Sequence, residues 1–286
     1  MAIIERQTIE KRFQLASGEV AAELSGEPDA PLLIGIPGLS ANLRSFDEIY
    51  GALNPEGHHR LAYDPRGRGL SDKTPPGTYG WPNHVADILE MADQLKAATF
   101  DLIGWSMGTW IAMKVCEMAP GRVNRLVLID AGGVPDETAT VPIYAGLDRL
   151  SHVWPSYEEF ATVAQSLGIY EPWEPFERLF RYEFEEVDDG IRARTTGVGP
   201  REDEDFRKTQ DAYALWKSVT MPALMVRAKR EILPGMGHIL TAEDAARFAR
   251  EVPGARVVEV DAAHYNSGVH PESVSAIVDF LDGADS

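Results

Sequence analysis

The sequence predicts an α/β fold: a mostly parallel central sheet flanked by helices. Three observations carry this. Short, unbroken apolar runs recur along the chain; segments with helical spacing alternate with them; and one long aromatic-rich stretch interrupts the rhythm. A run that is apolar at every position suits a strand covered on both faces, whereas a strand with one wet face alternates.

The elements follow in order. KRFQLASGEVAAELSGE predicts two strands around Ser17-Gly18, a hairpin signal. PLLIGIPG predicts a buried strand over 32–36, stopped by Pro37-Gly38. SFDEIYGAL predicts a short helix with Ser45 as its N-cap. RLAYD is a second short strand, ended by the glycine-rich charged loop PRGRGLSD. WPNHVADILEMADQL carries Val85, Ile88, Leu89 and Leu95 at helical spacing, with Asn83 as the cap. FDLIG is a third buried strand, SMGTWIAMKVCEMAP a helix, and RLVLID a fourth strand ending in Asp130. After a gap the pattern resumes as PALMVRA (strand), TAEDAARFAREVP (helix), ARVVEV (strand) and PESVSAIVDFL (helix).

The gap, residues 134–216, reads as a helical insertion, leaving 1–133 and 217–286 as the core. It holds 13 of the 25 aromatics, Tyr144 to Trp216, which suits either a lid over a pocket or rings that glue a small subdomain in place. Its acidic runs, EFEEVDD and REDED, read as a solvated outer face. Arg149, Arg178, Arg181, Arg192 and Arg194 also lie there. Pairing with neighbouring acids is the expectation, and one turned inward would suit a carboxylate.

The chain has 286 residues, 44% hydrophobic and 25% charged, enough to bury a sizeable core. A net charge of −18 disfavours nucleic acid and anionic membranes as partners, since both are polyanions. The expected partner is a small-molecule substrate, and a homodimer is left open. A single cysteine, Cys116, excludes an internal disulfide framework and a cysteine metal cluster. MAIIERQTIEKRF is charged almost at once, unlike a signal peptide, and no apolar stretch is long enough to span a membrane. The expected address is the cytoplasm.

Chemistry centres on LIGWSMGTW. Gly104, Ser106 and Gly108 form a G-x-S-x-G pattern where a strand gives way to a helix. The glycines are needed because so tight a turn presses its flanks on neighbouring backbone. The turn presents the serine hydroxyl above a helix N-terminus, whose free N–H groups suit a developing oxyanion. A serine needs a base. Of seven histidines, His58 and His59 precede the second strand and read as surface, His84 as structural or capping, and His152 as part of the insertion. His238 is a minor candidate and His270 helps start the last helix. His264, in the loop after ARVVEV, lies at the same sheet end as Ser106 and is the expected base. Asp130 and Glu231 both follow strands at that edge and both satisfy the order Ser…acid…His. As bland alternatives, Asp130 caps a turn and Glu231 is an exposed loop charge.

These motifs resemble the α/β-hydrolase superfamily along nearly the whole chain. IPGLSAN resembles its oxyanion loop, with Pro37-Gly38 where members usually have His-Gly. YDPRGRGLSD matches its Asp-x-Arg-Gly-x-Gly-x-Ser loop, GWSMG its nucleophile elbow, and AAHYNSGVHPE its histidine loop. The resemblance implies oxyanion donors at the backbone N–H groups of Leu39 and Met107, and no metal or organic cofactor. Members usually carry the acid in an Arg-Gly-x-x-Asp stretch, which here reads Arg227-Ala228-Lys229-Arg230-Glu231. Others carry it where this chain has Asp130, and the shorter side chain on a strand end is preferred. Among these the chain is similar to the amide-cleaving 2-(acetamidomethylene)succinate hydrolase type. The expected activity is hydrolysis of a small, fairly apolar carboxylic ester or lactone. The same machinery on an amide or carbon–carbon bond is the alternative. Cofactor-free oxygenation is disfavoured by Trp105, where such members commonly have histidine. A receptor without turnover is disfavoured by the complete triad, and dehalogenase or epoxide-hydrolase chemistry by the lack of an aspartate at Ser106.

Overall fold

The computed structural model describes residues 8–283. The first seven residues of the stretch read against a signal peptide lie outside them, as do 284–286. Strands β1 (Thr8–Leu15) and β2 (Gly18–Ser25) form the expected hairpin. β3 (Leu32–Ile36) follows, then a 3-10 turn over Leu43–Phe46, α1 (Asp47–Ala52), β4 (His59–Tyr63), α2 (Trp81–Gln94), β5 (Phe100–Trp105), α3 (Met107–Met118) and β6 (Val123–Ile129). The intervening segment contains α4 (Val141–Arg149), β7 (Val153–Trp154), α5 (Tyr157–Ser166), α6 (Trp173–Glu183), β8 (Phe184–Val187), β9 (Gly190–Ala193), α7 (Val198–Lys208) and α8 (Ala212–Trp216). The chain ends through β10 (Ala223–Ala228), α9 (Ala242–Glu251), β11 (Ala255–Val260) and α10 (Pro271–Asp282).

Eight strands form one sheet in the order β1-β2-β4-β3-β5-β6-β10-β11. From β4 to β11 every pairing is parallel; the hairpin at the other edge is antiparallel. The apolar runs explain how the sheet is covered. In β3, Leu32, Ile34 and Ile36 point to one face and pack with α2 and α3; Leu33 points to the other and packs with α1 and α10. Alternate apolar residues of β5, β6 and β10 divide in the same way, so the strands are apolar on both faces except at Asp101, Asn124, Arg125 and Arg227.

The order β4-β3-β5 reverses the direction of strand addition between β3 and β5. In an open parallel sheet the crevice outside such a reversal, at the strands' carboxyl ends, is where ligands bind. Ile36 of β3 pairs with Gly104 of β5. The loop after β3 and the turn after β5 therefore emerge side by side.

Several local expectations need correction. Ser45 does not cap α1: Asn42 caps the preceding 3-10 turn by accepting from the Arg44 N–H, and Ser45 donates to the Asn42 carbonyl. Asn83 lies inside the first turn of α2 and donates to Tyr79 O. His58 is not at the surface: it is 2% exposed and bonded to Asp282 at 3.0 Å. The insertion is not purely helical, because β7, β9 and β8 form a three-stranded antiparallel sheet. Its last helix, α8, packs on α3, and Trp216 donates to Gly132 O at 2.8 Å. Among the described residues no helix is long and apolar enough to cross a membrane.

Candidate active site

Ser106 sits between β5 and α3 with φ 55° and ψ −121°, a backbone conformation that L residues rarely adopt. Its flanking glycines allow the turn. A Cβ on Gly104 would stand 2.3 Å from Gly108 O, and one on Gly108 would stand 1.9 Å from Ile36 O. Both obstacles are backbone, so neither can swing aside.

The three side chains expected to act together are adjacent. His264 Nε2 is 2.9 Å from Ser106 Oγ, and His264 Nδ1 is 2.9 Å from Asp130 Oδ2. A carboxylate can only accept, so Nδ1–H donates to Asp130 and Nε2 is left as acceptor for the serine proton. Asp130 follows β6 with φ 47°, is 1% exposed, and its Oδ1 accepts the Ala228 N–H at 2.8 Å. One oxygen is anchored by β10 while the other orients the imidazole. Glu231 lies elsewhere: it is exposed and accepts the Gly235 N–H at 2.7 Å. His238 lies 3.2 Å from the Lys229 carbonyl, and His270 occupies the N-cap position of α10. Neither is hydrogen-bonded to Ser106.

Leu39 and Met107 line the cavity beside Ser106 and His264. Met107 is the first residue of α3, where backbone N–H groups have no partner within the helix. The loop is held next to the Leu39 N–H: Arg68 Nε and Nη2 both donate to Leu39 O, at 3.0 and 2.9 Å, in the peptide that follows the one carrying that N–H. Arg68 is fully buried and pairs with Asp203 of α7 at 2.5 Å. Asp203 also accepts from Gly80 N and lies 3.0 Å from His84 Nε2. Burial alone would raise the Asp203 pKa, but His84 and Arg68 outweigh it and hold the carboxyl well below the usual range.

The reading of the acidic runs as a solvated face holds for Glu186, Asp188, Asp189 and Asp205, which are exposed, and fails for three residues. Asp203 is fully buried and Glu204 nearly so, the latter bonded to Tyr144 and Arg207. Glu183 of the other run is buried too, accepting from Thr195 N at 2.8 Å and Asn42 Nδ2 at 3.1 Å. The signal for α7 was spacing: Gly199, Pro200, Asp203 and Phe206 share one helical face. Arg68 stood in a recognised loop motif without an assigned role. Nothing in the local sequence pointed to Glu183.

Burial pushes Glu183 up to about 7 and, in the same corner, Asp64 up to about 6. Asp64 accepts from Leu43 N, Leu70 N and the Tyr182 hydroxyl. The folded chain keeps a proton on Glu183 between its ordinary 4.5 and about 7 that the unfolded chain has released. Stability from this group is therefore present at low pH and lost as pH rises through the folded value. The expected result is an unfolding free energy, and with it a melting temperature, that falls between pH 4.5 and about 7, the free energy by up to about 1.4 kcal/mol per pH unit for one proton. Glu183→Gln should flatten that fall; equal slopes in differential scanning calorimetry would contradict it.

The cavity above Ser106 measures about 310 Å³. Trp105, Met107 and Trp110 form part of its floor, and Phe160, Phe180 and Phe184 come from the insertion. Phe160 meets Phe180 and Phe184 edge-on, with ring centroids 4.9 and 4.6 Å apart. Trp105 is 8% exposed and is packed so closely against Gly268 that a Cβ there would stand 2.7 Å from its ring. The arrangement can deprotonate a hydroxyl, hold an apolar group beside it, and offer backbone donors to an anion.

A model of the alpha/beta hydrolase family matches residues 33–277. The chain is 25% identical over 270 residues, 93% of each chain, to 2-(acetamidomethylene)succinate hydrolase of Mesorhizobium japonicum. It is 29% identical over 231 residues to 2-hydroxymuconate semialdehyde hydrolase of Pseudomonas sp. strain CF600, covering 71% of this chain and 77% of that one. Among solved structures it is similar to E-2-(acetamidomethylene)succinate hydrolase, with a TM-score of 0.85 at 23% identity over 96% of this chain and 100% of the other.

Proposed function

This chain belongs to the α/β hydrolase family, and we propose that it is a serine hydrolase cleaving a small, fairly apolar carboxylic ester or lactone through an acyl-enzyme. The observation that carries the reading is the unbroken relay from Asp130 through His264 to Ser106, with 2.9 Å at each step.

In this reading Ser106 Oγ attacks the carbonyl carbon while His264 Nε2 takes its proton. The Leu39 and Met107 N–H groups hold the oxyanion, kept in place by the Arg68 contact behind Leu39 and by α3. His264 then returns the proton to the leaving oxygen and the tetrahedral intermediate collapses to the acyl-enzyme. Water, deprotonated by the same imidazole, releases the acid. Asp130 orients the ring and stabilises its cationic form. Residues 134–216 act as the cap, supplying the aromatic wall, while 1–133 and 217–286 form the catalytic core. The enzyme works in the cytoplasm on a small molecule, without metal or organic cofactor.

A second reading keeps the same residues but breaks an amide or carbon–carbon bond. It is favoured by the relatives, one named for an acetamido substrate and one for a semialdehyde. A panel of p-nitrophenyl esters, γ- and δ-lactones and the matching amides separates the two. The first reading predicts kcat/KM for at least one ester or lactone well above that for its amide. Turnover confined to amides, or to carbon–carbon substrates, would replace it with the second.

A further inference from the structure

Of Arg149, Arg178, Arg181, Arg192 and Arg194 in the insertion, all but Arg149 are engaged with acids. Arg178 pairs with Glu48, Arg181 with Glu177 at 2.9 Å, Arg192 with Glu185 at 2.9 Å, and Arg194 lies 3.7 Å from Glu185. Arg207, which also lines the cavity, is held by Glu204 at 2.7 Å. Arg149, at the end of α4, is different. It lines the cavity and makes no ion pair among the described residues. Its guanidinium lies back along its own helix, with Nη2 3.9 Å from where a Gly146 Cβ would stand, and Gly146 is also part of the cavity wall.

Two phenols face the same space. Tyr170 and Tyr265 both line the cavity, with ring centroids 5.6 Å apart in an edge-on contact. Tyr265 in turn meets the His264 ring edge-on at 5.8 Å. Neither hydroxyl has a hydrogen-bond partner among the described residues. Tyr170 and Tyr265 therefore extend from the imidazole along the wall of the cavity that Arg149 also lines.

We propose that Arg149, with the Tyr170 and Tyr265 hydroxyls, forms an anion subsite that takes a carboxylate on the substrate, beside the bond that Ser106 attacks. This deepens the hydrolase reading and rests on it. A guanidinium presents a planar fork that matches the two oxygens of a carboxylate, and phenol O–H groups supply further donors. The field at the site fits this. Burial raises both phenol pKa values, and in each case the Arg149 charge opposes that rise. The surroundings are apolar and aromatic, so a charge brought there has few other partners and each hydrogen bond counts for more than in water. The overall charge of −18 repels anions from the surface at large; Arg149, exposed on the cavity wall and without an ion pair among the described residues, offers a carboxylate a local partner. The substrate class becomes a small half-ester, or a lactone carrying an acid, with its apolar part against the cap.

The test compares mono-4-nitrophenyl glutarate with methyl 4-nitrophenyl glutarate, which share the scissile bond and differ in the distal charge. Wild-type protein should favour the acid in kcat/KM. Arg149→Gln should cut the acid-to-methyl-ester ratio by about tenfold to a hundredfold, the range for hydrogen bonds to a charged group. Arg149→Lys should retain part of the preference. Arg181→Gln, which also removes a cap charge but lies outside the cavity lining, should keep the ratio. A ratio that Arg149→Gln leaves unchanged, or a wild-type preference for the methyl ester, would overturn the proposal. Circular dichroism checks that each variant folds. Binding of glutarate by isothermal titration calorimetry provides an independent reading that needs no turnover. Weaker binding to Arg149→Gln supports the subsite even if neither ester is cleaved, an outcome that would count against the hydrolase reading alone. Equal binding to both proteins counts against the subsite.

Discussion

Ser106→Ala is expected to lower kcat/KM by about 10⁴ to 10⁶, because in the proposed reaction every later step depends on the ester bond that this oxygen would form. The fold should tolerate it. Alanine keeps the β-carbon already present at a backbone with φ 55°, so no new strain is added at the elbow. The Thr109 N–H and hydroxyl bonds go to the Ser106 carbonyl and not to its side chain, so the first turn of α3 stays anchored. The loss should therefore lie in kcat, with the melting temperature close to wild type. A variant that melted normally and still turned over would mean that another residue or a directly activated water attacks the carbonyl.

Asp130→Asn carries the second large effect, about 10⁴ in kcat, and the geometry gives it a specific cause. The Ala228 N–H donates to Asp130 Oδ1. An asparagine must turn its oxygen toward that fixed backbone donor, which leaves its NH₂ facing His264 Nδ1. The ring then accepts at Nδ1 and carries its proton at Nε2, the nitrogen that has to receive the serine proton. Glu231→Gln should leave turnover near wild type, since that carboxylate serves its own loop through Gly235. If Glu231→Gln were the crippling change and Asp130→Asn the mild one, the relay described here would be the wrong one.

The strands and the turn that are legible in the sequence share a physical basis. β3, β5, β6 and β10 are buried on both faces, so their identity is written in consecutive residues, and their bounds follow from where the apolar run stops. The elbow is legible for a related reason: Gly104 is demanded by the backbone of Gly108, four residues on, while Gly108 is demanded by Ile36 O on the neighbouring strand. What was not legible depends on partners distant in the chain. Asp203 looked like one more solvated acid because its ion-pair partner, Arg68, lies 135 residues earlier. His58 looked like a surface residue because Asp282 covers it from the opposite end of the chain. Ser45 and Asn83 are good capping residues by type, but the turns before α1 and α2 start the helices elsewhere. The choice between Asp130 and Glu231 turned on which carboxylate reaches His264, a distance that chain order does not encode.

Ser106 is the proposed nucleophile, and one measurement addresses that role directly. The protein is treated with a fluorophosphonate probe, digested, and the modified peptide is located by mass spectrometry. The account predicts one phosphonyl group per chain, attached to Ser106 in the peptide containing GWSMG, and no labelling of Ser106→Ala. Modification at any other residue, or labelling that survives Ser106→Ala, would contradict it.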